Sequence, residues 1–340
     1  MTYTKGVQCS GCSVLAQVGL AYWWQTCRDM GPLEGVCRRL AAVLESLYSR
    51  DRCRYTLSSA MRVLVFGGTG SIGRAVVGEL HRRGHSVTIL CRSDSAANRA
   101  QMLGAAVLHG SIAKPAHWIH RLSDADAVIH LATGFGPDAG GVDRQLLDAV
   151  FDHEVSHRRA AAANAAPTRV RFIYTGGMWL FGSCSVAPSP NTPYQSPAFW
   201  QWAADGCRRV LSHPKLHSVV VHPANVIDDD AGVPPIILTD AKATGHIRMP
   251  IPEGATWPLV RRDILAQLYV DALEHATPGA VYFGVSEEAV PRSELVRRTA
   301  QATGLPAESD AISIDVWQQK YGDWAVGYGL SQKARDQRLN

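Results

Sequence analysis

The chain has 340 residues, of which 46% are hydrophobic and 19% are charged, as is usual for globular proteins, and this length suits one large domain with a smaller lobe. The net charge is +4, and its lysines and arginines are scattered along the chain, which argues against a nucleic-acid partner. No run of 18 or more apolar residues occurs, so we expect no membrane-spanning segment.

The first sixty residues differ from the rest of the chain in their cysteine content. We predict that residues 1–60 are an N-terminal extension that contributes little to the body; the alternative is an amphipathic helix over Pro32–Tyr48 that packs on the body or on a partner. Cys9 and Cys12 form a CxxC pair, but no second pair or HxxxH completes a metal site, so we expect no metal. The body has three separate cysteines, as is typical of reduced thiols, and we therefore expect a cytoplasmic protein: Cys91, Cys184 and Cys207.

From Met61 onward, short apolar segments alternate with helical ones. The predicted strands are Arg62–Phe66, His85–Cys91, Ala106–His109, Asp126–Ala132, Val170–Thr175 and Ser218–His222. The predicted helices are Arg74–Arg83, Ala97–Leu103, Ala113–Leu122, Gly141–Ala166 before Pro167, and Phe199–Leu211. This alternation predicts an α/β fold with a doubly wound parallel sheet and right-handed crossovers.

After His222 the alternation becomes less regular. The segment Asp228–Pro258 is rich in Pro, Gly and Asp and is predicted to be irregular. A helix over Asp263–Ala276, a strand over Ala280–Val285 and a helix over Arg292–Thr303 follow. We therefore predict a nucleotide-binding domain over 61–228, a sheet completed by 259–285, and a smaller substrate-binding lobe from 229–258 and 286–340.

A glycine-rich turn lies directly between the first strand and the first helix. In such a turn one glycine permits the tight bend, the next lets the backbone approach a pyrophosphate, and the third lets helix and strand pack closely. The helix N-terminus then presents free N–H groups to the phosphates. The turn predicts a Rossmann dinucleotide-binding domain, with cofactor contacts from Gly67, Thr69, Gly70, Ser71, Ile72 and Gly73.

The end of the second strand indicates which dinucleotide binds. Enzymes that use NAD usually place an acidic residue there, to bind the ribose hydroxyls. This strand is followed by Arg92 and Ser93, which suit a 2′-phosphate because a guanidinium binds phosphate through bidentate hydrogen bonds. We therefore predict NADP as the cofactor, while Asp94 leaves NAD possible if it turns inward.

Several segments resemble the extended short-chain dehydrogenase/reductase family, also called the NAD-dependent epimerase/dehydratase group. The similar segments cover nearly all of 61–340 and are Val65–Gly73, Asp124–Ala132, Arg171–Thr175, His222–Val226 and Trp257–Val260 with Asp263. The resemblance implies further cofactor contacts from the ends of the fourth and sixth strands. These are Leu131, Ala132, Thr133, Pro223 and Asn225.

The catalytic residues of that family are only partly present. Members use Ser or Thr with a YxxxK pair, whereas Gly177 stands where the serine is usual and Tyr194 is followed four residues later by Ala198. Without the lysine, a tyrosine of pKa about 10 has little reason to act as a base near neutral pH. We predict Thr175 and Tyr194 as catalytic residues, with two alternatives: water supplies the proton, or Tyr194 only packs in its loop.

Aromatic residues accumulate where the resemblance places the substrate. We predict substrate contacts from Phe135, Trp179, Trp200 and Trp257. Ligand pockets are mainly apolar with a few placed polar groups, so this set predicts a small hydrophobic substrate. A charged sugar nucleotide would require more basic residues in the substrate-binding lobe.

Three functional hypotheses follow for the body of the chain. The first is an NADP-dependent oxidoreductase that acts on a small hydrophobic carbonyl or alcohol, in secondary metabolism. The second is an isomerase, dehydratase or cyclase in which NADP(H) is bound structurally. The third is a non-enzymatic NADP-sensing regulator. We expect a monomer or a homodimer with a small-molecule substrate as its partner.

Overall fold

The computed structural model describes residues 60–161, 170–227 and 230–336. The predicted N-terminal extension up to residue 59, its CxxC pair and the end of the long alanine-rich helix at Pro167 lie outside the described residues.

The described residues form a body with strands and helices in alternation. The strands are β1 (Arg62–Phe66), β2 (Ser86–Cys91), β3 (Ala106–His109), β4 (Ala127–His130), β5 (Arg171–Thr175), β6 (His217–Pro223), β7 (Asn225–Ile227), β8 (Ile247–Met249), β9 (Thr256–Arg261), β10 (Ala280–Gly284), β11 (Glu287–Pro291) and β12 (Ser309–Ala311). The helices are α1 (Ser71–Arg82), α2 (Asp94–Met102), α3 (Ala139–Ala161), α4 (Gln201–Ser212), α5 (Pro235–Thr244), α6 (Arg262–His275), α7 (Arg292–Thr303) and α8 (Ile314–Tyr321).

Seven strands form one parallel sheet in the order β10-β6-β5-β4-β1-β2-β3. Its central strands are continuous apolar runs because helices cover both faces, and Val63–Phe66 of β1 are fully buried. The strand order reverses between β1 and β4. In doubly wound sheets the ligand binds outside the carboxyl ends of the strands at this reversal point. The predicted fold class is confirmed.

Two apolar layers cover the sheet. On one face α1, α2 and α6 pack against the strands, and α1 and α6 contact each other. On the other face α3 and α4 pack together over a second buried cluster, which includes Phe66, Phe172 and Trp118. The core therefore fixes both helix layers, and the carboxyl edge of the sheet carries the loops that form the site.

One predicted helix is wrong. The segment Ala113–Leu122 forms two short 3₁₀ segments, Pro115–His117 and Ile119–Asp124, instead of one α-helix. Pro115 has no N–H to donate and disfavours helical geometry in the residue before it. Trp118 separates the two segments because its ring is fully buried and its Nε1–H donates to the Ser111 carbonyl, at 2.8 Å.

The segment predicted to be irregular, Asp228–Pro258, contains α5, β8 and the start of β9 in its described part. A three-stranded sheet in the order β11-β9-β7 and a two-stranded sheet of β12 and β8 form this lobe, around a third apolar core. Thus β10 joins the large sheet, whereas β9 belongs to the small one. Within the described residues no helix is long and apolar enough to cross a membrane, and no group of three potential metal ligands occurs.

Candidate dinucleotide and substrate site

The glycine turn after β1 has the geometry that its sequence predicts. Gly67 has φ +79°, and a Cβ there would lie 2.8 Å from the Leu131 carbonyl oxygen and the Ala132 nitrogen. A Cβ at Gly73 would lie 2.2 Å from the Gly67 carbonyl oxygen. The turn therefore packs backbone against backbone, and it holds the start of α1 against the end of β4.

The first turn of α1 offers unpaired backbone donors. Gly70 is the N-cap residue, and no side chain caps the helix. Gly70 N–H donates to the Gly67 carbonyl and Arg74 N–H to the Gly70 carbonyl, which leaves the amides of Ser71–Gly73 without a partner among the described residues. No acidic residue lies in this turn. Three free N–H groups at the positive end of a helix dipole form an anion site, as a pyrophosphate requires.

Arg92 and Ser93 lie beside this turn, between β2 and α2. Arg92 is exposed and has no ion-pair partner among the described residues. Ser93 is the N-cap of α2, and its Oγ accepts the Ala96 N–H at 3.3 Å, so its own hydroxyl proton is free to be donated. A guanidinium and a hydroxyl at a helix N-terminus are donors that suit a phosphate monoester.

A cavity of about 290 Å³ continues from Arg92 along the ends of β3 and β4. It is lined by Ser111 and Ile112 after β3, by Ala132 and Gly134 after β4, and by other residues of the adjoining loops. It therefore adjoins the position at the end of β2 where dinucleotide-binding folds hold the ribose. Leu131 and Thr133, which were also predicted to contact the cofactor, are half-buried on this edge.

A hydrogen bond to the core engages the Thr175 hydroxyl at the end of β5. Its Oγ1 lies 2.7 Å from the hydroxyl oxygen of Tyr269, a buried residue of α6. Burial raises the pKa of Tyr269 above its ordinary value, so this partner is neutral. The Thr175 hydroxyl can still form one further hydrogen bond with a ligand. Its catalytic role stays a prediction.

The Tyr194 hydroxyl is held by His222. The Gly177 N–H donates to His222 Nδ1 at 3.1 Å, which fixes the proton of the neutral ring on Nε2, 3.2 Å from the Tyr194 hydroxyl. Burial lowers the pKa of His222 to about 3, so the ring is neutral at ordinary pH. Burial and the neighbouring Cys207 raise the pKa of Tyr194 above its ordinary value. This geometry favours packing for Tyr194, whose catalytic role stays a prediction.

Asn225 combines burial with an unpaired amide nitrogen. It follows Pro223 at the end of β6 and is 7% exposed. Its Oδ1 accepts the Trp179 Nε1–H at 3.1 Å, whereas its Nδ2 has no partner among the described residues. A buried amide donor without a partner is costly in a folded protein unless a ligand or an ordered water satisfies it. Asn225 is therefore a donor available to a ligand at the ends of β5 and β6.

The predicted substrate aromatics separate into exposed and buried rings. Phe135 is 53% exposed, and its ring lies 4.6 Å from that of Trp324 and 6.3 Å from that of Trp200. Trp179 is half-buried, whereas Trp200 and Trp257 are buried, with Trp257 in the core of the C-terminal lobe. Phe135 and Trp179 can thus contact a ligand directly. Trp200 packs against both of them, whereas Trp257 packs against Tyr328. The substrate role of all four residues stays a prediction.

The C-terminal segment supplies site residues that the sequence did not reveal. The 3₁₀ segment Asp323–Gly329 places Trp324 and Tyr328 against Trp179, with ring centroids 6.4 and 4.9 Å away. No motif marks these residues, because their role depends on a contact across about half the chain. For Ser111 a signal existed: it follows the third strand, on the same carboxyl edge as Arg92.

Comparison with known proteins agrees with this geometry. Residues 67–276 match the family described as NAD(P)H-binding, and the chain belongs to that family. Its place in the extended short-chain dehydrogenase/reductase group is confirmed, as is a nicotinamide dinucleotide as its cofactor.

Particular relatives are reductases by name. A 2-alkyl-3-oxoalkanoate reductase from Stenotrophomonas maltophilia is 36% identical over 270 residues, which are 75% of this chain and 79% of the relative. A 4-hydroxy-2-methyl-3-oxo-4-farnesyl-3,4-dihydroquinoline-1-oxide ketoreductase from Stigmatella aurantiaca is 27% identical over 263 residues, 73% of this chain and 75% of the relative. A dTDP-glucose 4,6-dehydratase from Bacillus anthracis, solved with NAD, superposes with a TM-score of 0.62 at 13% identity, covering 75% of this chain and 85% of that chain. This last likeness shows the fold alone.

Proposed function

We propose that the chain is an NADP-dependent oxidoreductase that reduces a small hydrophobic ketone. The choice of NADP over NAD rests on hydrogen-bond donors without partners at two neighbouring helix N-termini. The amides of Ser71–Gly73 suit the pyrophosphate, and Arg92, which has no ion-pair partner among the described residues, suits a 2′-phosphate. The NAD alternative would require Asp94, which is exposed at the start of α2, to turn toward the ribose.

The ketone is supported by the relatives and by the lining of the site. Both named reductases have a 3-oxo group in the name of their substrate. Phe135 and Trp179 present apolar ring surface beside the ends of β4 and β5, and Asn225 adds one unpaired amide donor. An apolar pocket with few polar groups suits a substrate of this kind.

The reaction divides between the cofactor and the chain. When bound, the reduced nicotinamide supplies a hydride to the carbonyl carbon, and the carbonyl oxygen takes up a proton. The chain's residues position the two reactants and exclude water, since hydride transfer depends mainly on how they are oriented. We propose that the unpaired Asn225 Nδ2 donates a hydrogen bond to the nicotinamide amide or to the ketone.

The choice between NADP and NAD is tested with two arginine variants: Arg92 lies in the loop before α2, and Arg99 lies within α2. Titrations of the parent with NADPH and NADH are compared with those of Arg92→Ala and of Arg99→Ala, whose exposed guanidinium donates to Ser95 Oγ. We expect Arg92→Ala to weaken NADPH binding about tenfold or more, with NADH binding unchanged, because a charge-assisted hydrogen bond contributes about 1.5–3 kcal/mol. Arg99→Ala should bind both as the parent does. Equal NADPH binding by Arg92→Ala and the parent would refute the choice of NADP.

Reduction itself is tested by following NADPH absorbance with three ketones: α-tetralone, phenanthrenequinone and ethyl 2-methyl-3-oxobutanoate. We expect NADPH consumption matched by alcohol formation with at least one of them. Tight NADPH binding with no consumption would contradict the reductase and favour an isomerase, dehydratase or regulator that retains the cofactor.

A further inference from the structure

One tyrosine near the site has a hydroxyl group that the fold leaves unused. Tyr194 is bonded to His222, Tyr269 to Thr175, and the buried Tyr174 donates to Asp143 at 2.9 Å. Tyr328 is half-buried, its hydroxyl has no hydrogen-bond partner among the described residues, and its oxygen is not among the buried unpaired atoms. The oxygen is therefore partly accessible to solvent while the ring is packed against neighbouring aromatic rings.

The ring of Tyr328 is fixed next to the ends of β5 and β6. It lies 4.9 Å from the ring of Trp179, which is two residues beyond Gly177 and is itself bonded to Asn225. Gly327 permits this approach, because a Cβ there would lie 2.0 Å from Trp179 Cδ2. Any larger residue at 327 would push Tyr328 away from the site.

A second contact locks the same segment to the loop after β5. The buried Gln332 donates from Nε2 to the carbonyls of Met178 and Gly182, each at 2.7 Å. Its backbone N–H donates to the Thr256 carbonyl at 2.8 Å. The position of Tyr328 relative to the substrate side is therefore set by the fold and not by a free C-terminal tail.

We propose that the Tyr328 hydroxyl donates a hydrogen bond to the substrate carbonyl oxygen and, in reduction, the proton that this oxygen takes up. The inference rests on the proposed ketone reduction. As the hydride bonds to the carbonyl carbon, the C=O π pair moves to oxygen and takes the phenol proton, and the phenolate regains a proton from solvent. Burial raises the pKa of Tyr328, so the hydroxyl is neutral and can act as a donor at neutral pH. An alkoxide, whose basicity is close to that of hydroxide, can still remove its proton.

The test uses Tyr328→Phe with one matched control. Tyr282→Phe also removes a hydroxyl without a partner among the described residues, but on the outer strand β10. We expect Tyr328→Phe to lower kcat for an accepted ketone about 100-fold, to raise KM by no more than about fivefold, and to alter the pH profile of kcat. The control should stay within about threefold of the parent. Parent-like kcat and pH profile in Tyr328→Phe would overturn the proposal.

Binding without turnover separates this inference from the proposed function. Quenching of tryptophan fluorescence, with NADP present, compares α-tetralone with tetralin, which has the same rings without the carbonyl. We expect the parent to prefer the ketone and Tyr328→Phe to lose about fivefold of that preference, the size of one neutral hydrogen bond. No preference in the parent, or an unchanged preference in the variant, would overturn the role of Tyr328. If no ketone is reduced but this preference depends on Tyr328, the reductase proposal fails and the binding role stands.

Discussion

The buried His222 makes stability depend on pH in a way that can be calculated. Its pKa falls from an ordinary 6.5 to about 3 because burial disfavours the charged ring. As pH falls below 6.5, the unfolded chain binds a proton that the folded protein does not, so the free energy of unfolding decreases. Between pH 7 and pH 5 the two pKa values give a loss of about 2 kcal/mol from this residue alone.

His222→Asn removes the titrating ring and keeps an acceptor for the Gly177 N–H, because an asparagine oxygen can take the place of Nδ1. The neighbouring Cys207 and Tyr194 do not titrate in this range, since burial raises the pKa of both, that of Cys207 to about 12. We therefore expect the variant to lose about 2 kcal/mol less than the parent between pH 7 and pH 5. At pH 7 it should be less stable by about 1 kcal/mol, because the bond to Tyr194 is gone.

The assay is urea unfolding of parent and variant at pH 7 and pH 5, followed by tryptophan fluorescence. His120→Asn, on an exposed residue of the segment after Trp118, serves as the control and should keep the pH dependence of the parent. If His222→Asn also keeps that dependence, His222 is not held neutral in the folded protein, and the tautomer assigned from Gly177 is wrong.

Three further predictions concern the turn, the aromatic side and the C-terminal lobe. Gly73→Ala should abolish NADPH binding in a fluorescence titration, because its Cβ would lie 2.2 Å from the Gly67 carbonyl oxygen. The control is Gly78→Ala on the same helix, where a Cβ meets nothing within 4 Å. This variant should bind NADPH normally and gain about 0.5–1 kcal/mol of stability. Trp179→Phe should cost about 1–3 kcal/mol in urea unfolding, because it leaves Asn225 without a partner at either amide atom, and parent-like stability would contradict that bond. Asp240→Ala should cost about 3 kcal/mol by the same measurement, because the fully buried carboxylate accepts from Arg248, Lys320 and Tyr321. Asp310→Ala, which removes an exposed contact with His246, should cost under about 1 kcal/mol.

The elements that could be predicted from the sequence are those that depend on short-range interactions. The strand β1, the glycine turn and α1 could be predicted because each depends on neighbouring residues: an apolar run, a glycine with φ +79° and a helix start without a cap. The helix over Ala113–Leu122 was wrong because Pro115 and the buried Trp118 override a local pattern. Helix α8 carries no pattern strong enough to reveal it.

The sequence by itself determined that this protein folds as a doubly wound sheet with a dinucleotide-binding turn. The conformation of that turn and the burial of the strands depend on residues that are adjacent in the sequence. Only the tertiary structure decided how the predicted substrate side is arranged, because those contacts join residues far apart in the chain. His222 approaches Tyr194 and Gly177, the buried Trp257 lies in the core of the C-terminal lobe, and Tyr328 lies against Trp179. The hydrogen-bond partner of a hydroxyl group depends on which elements pack beside it. Because the YxxxK pair is missing, no sequence motif indicates which hydroxyl group would face the substrate.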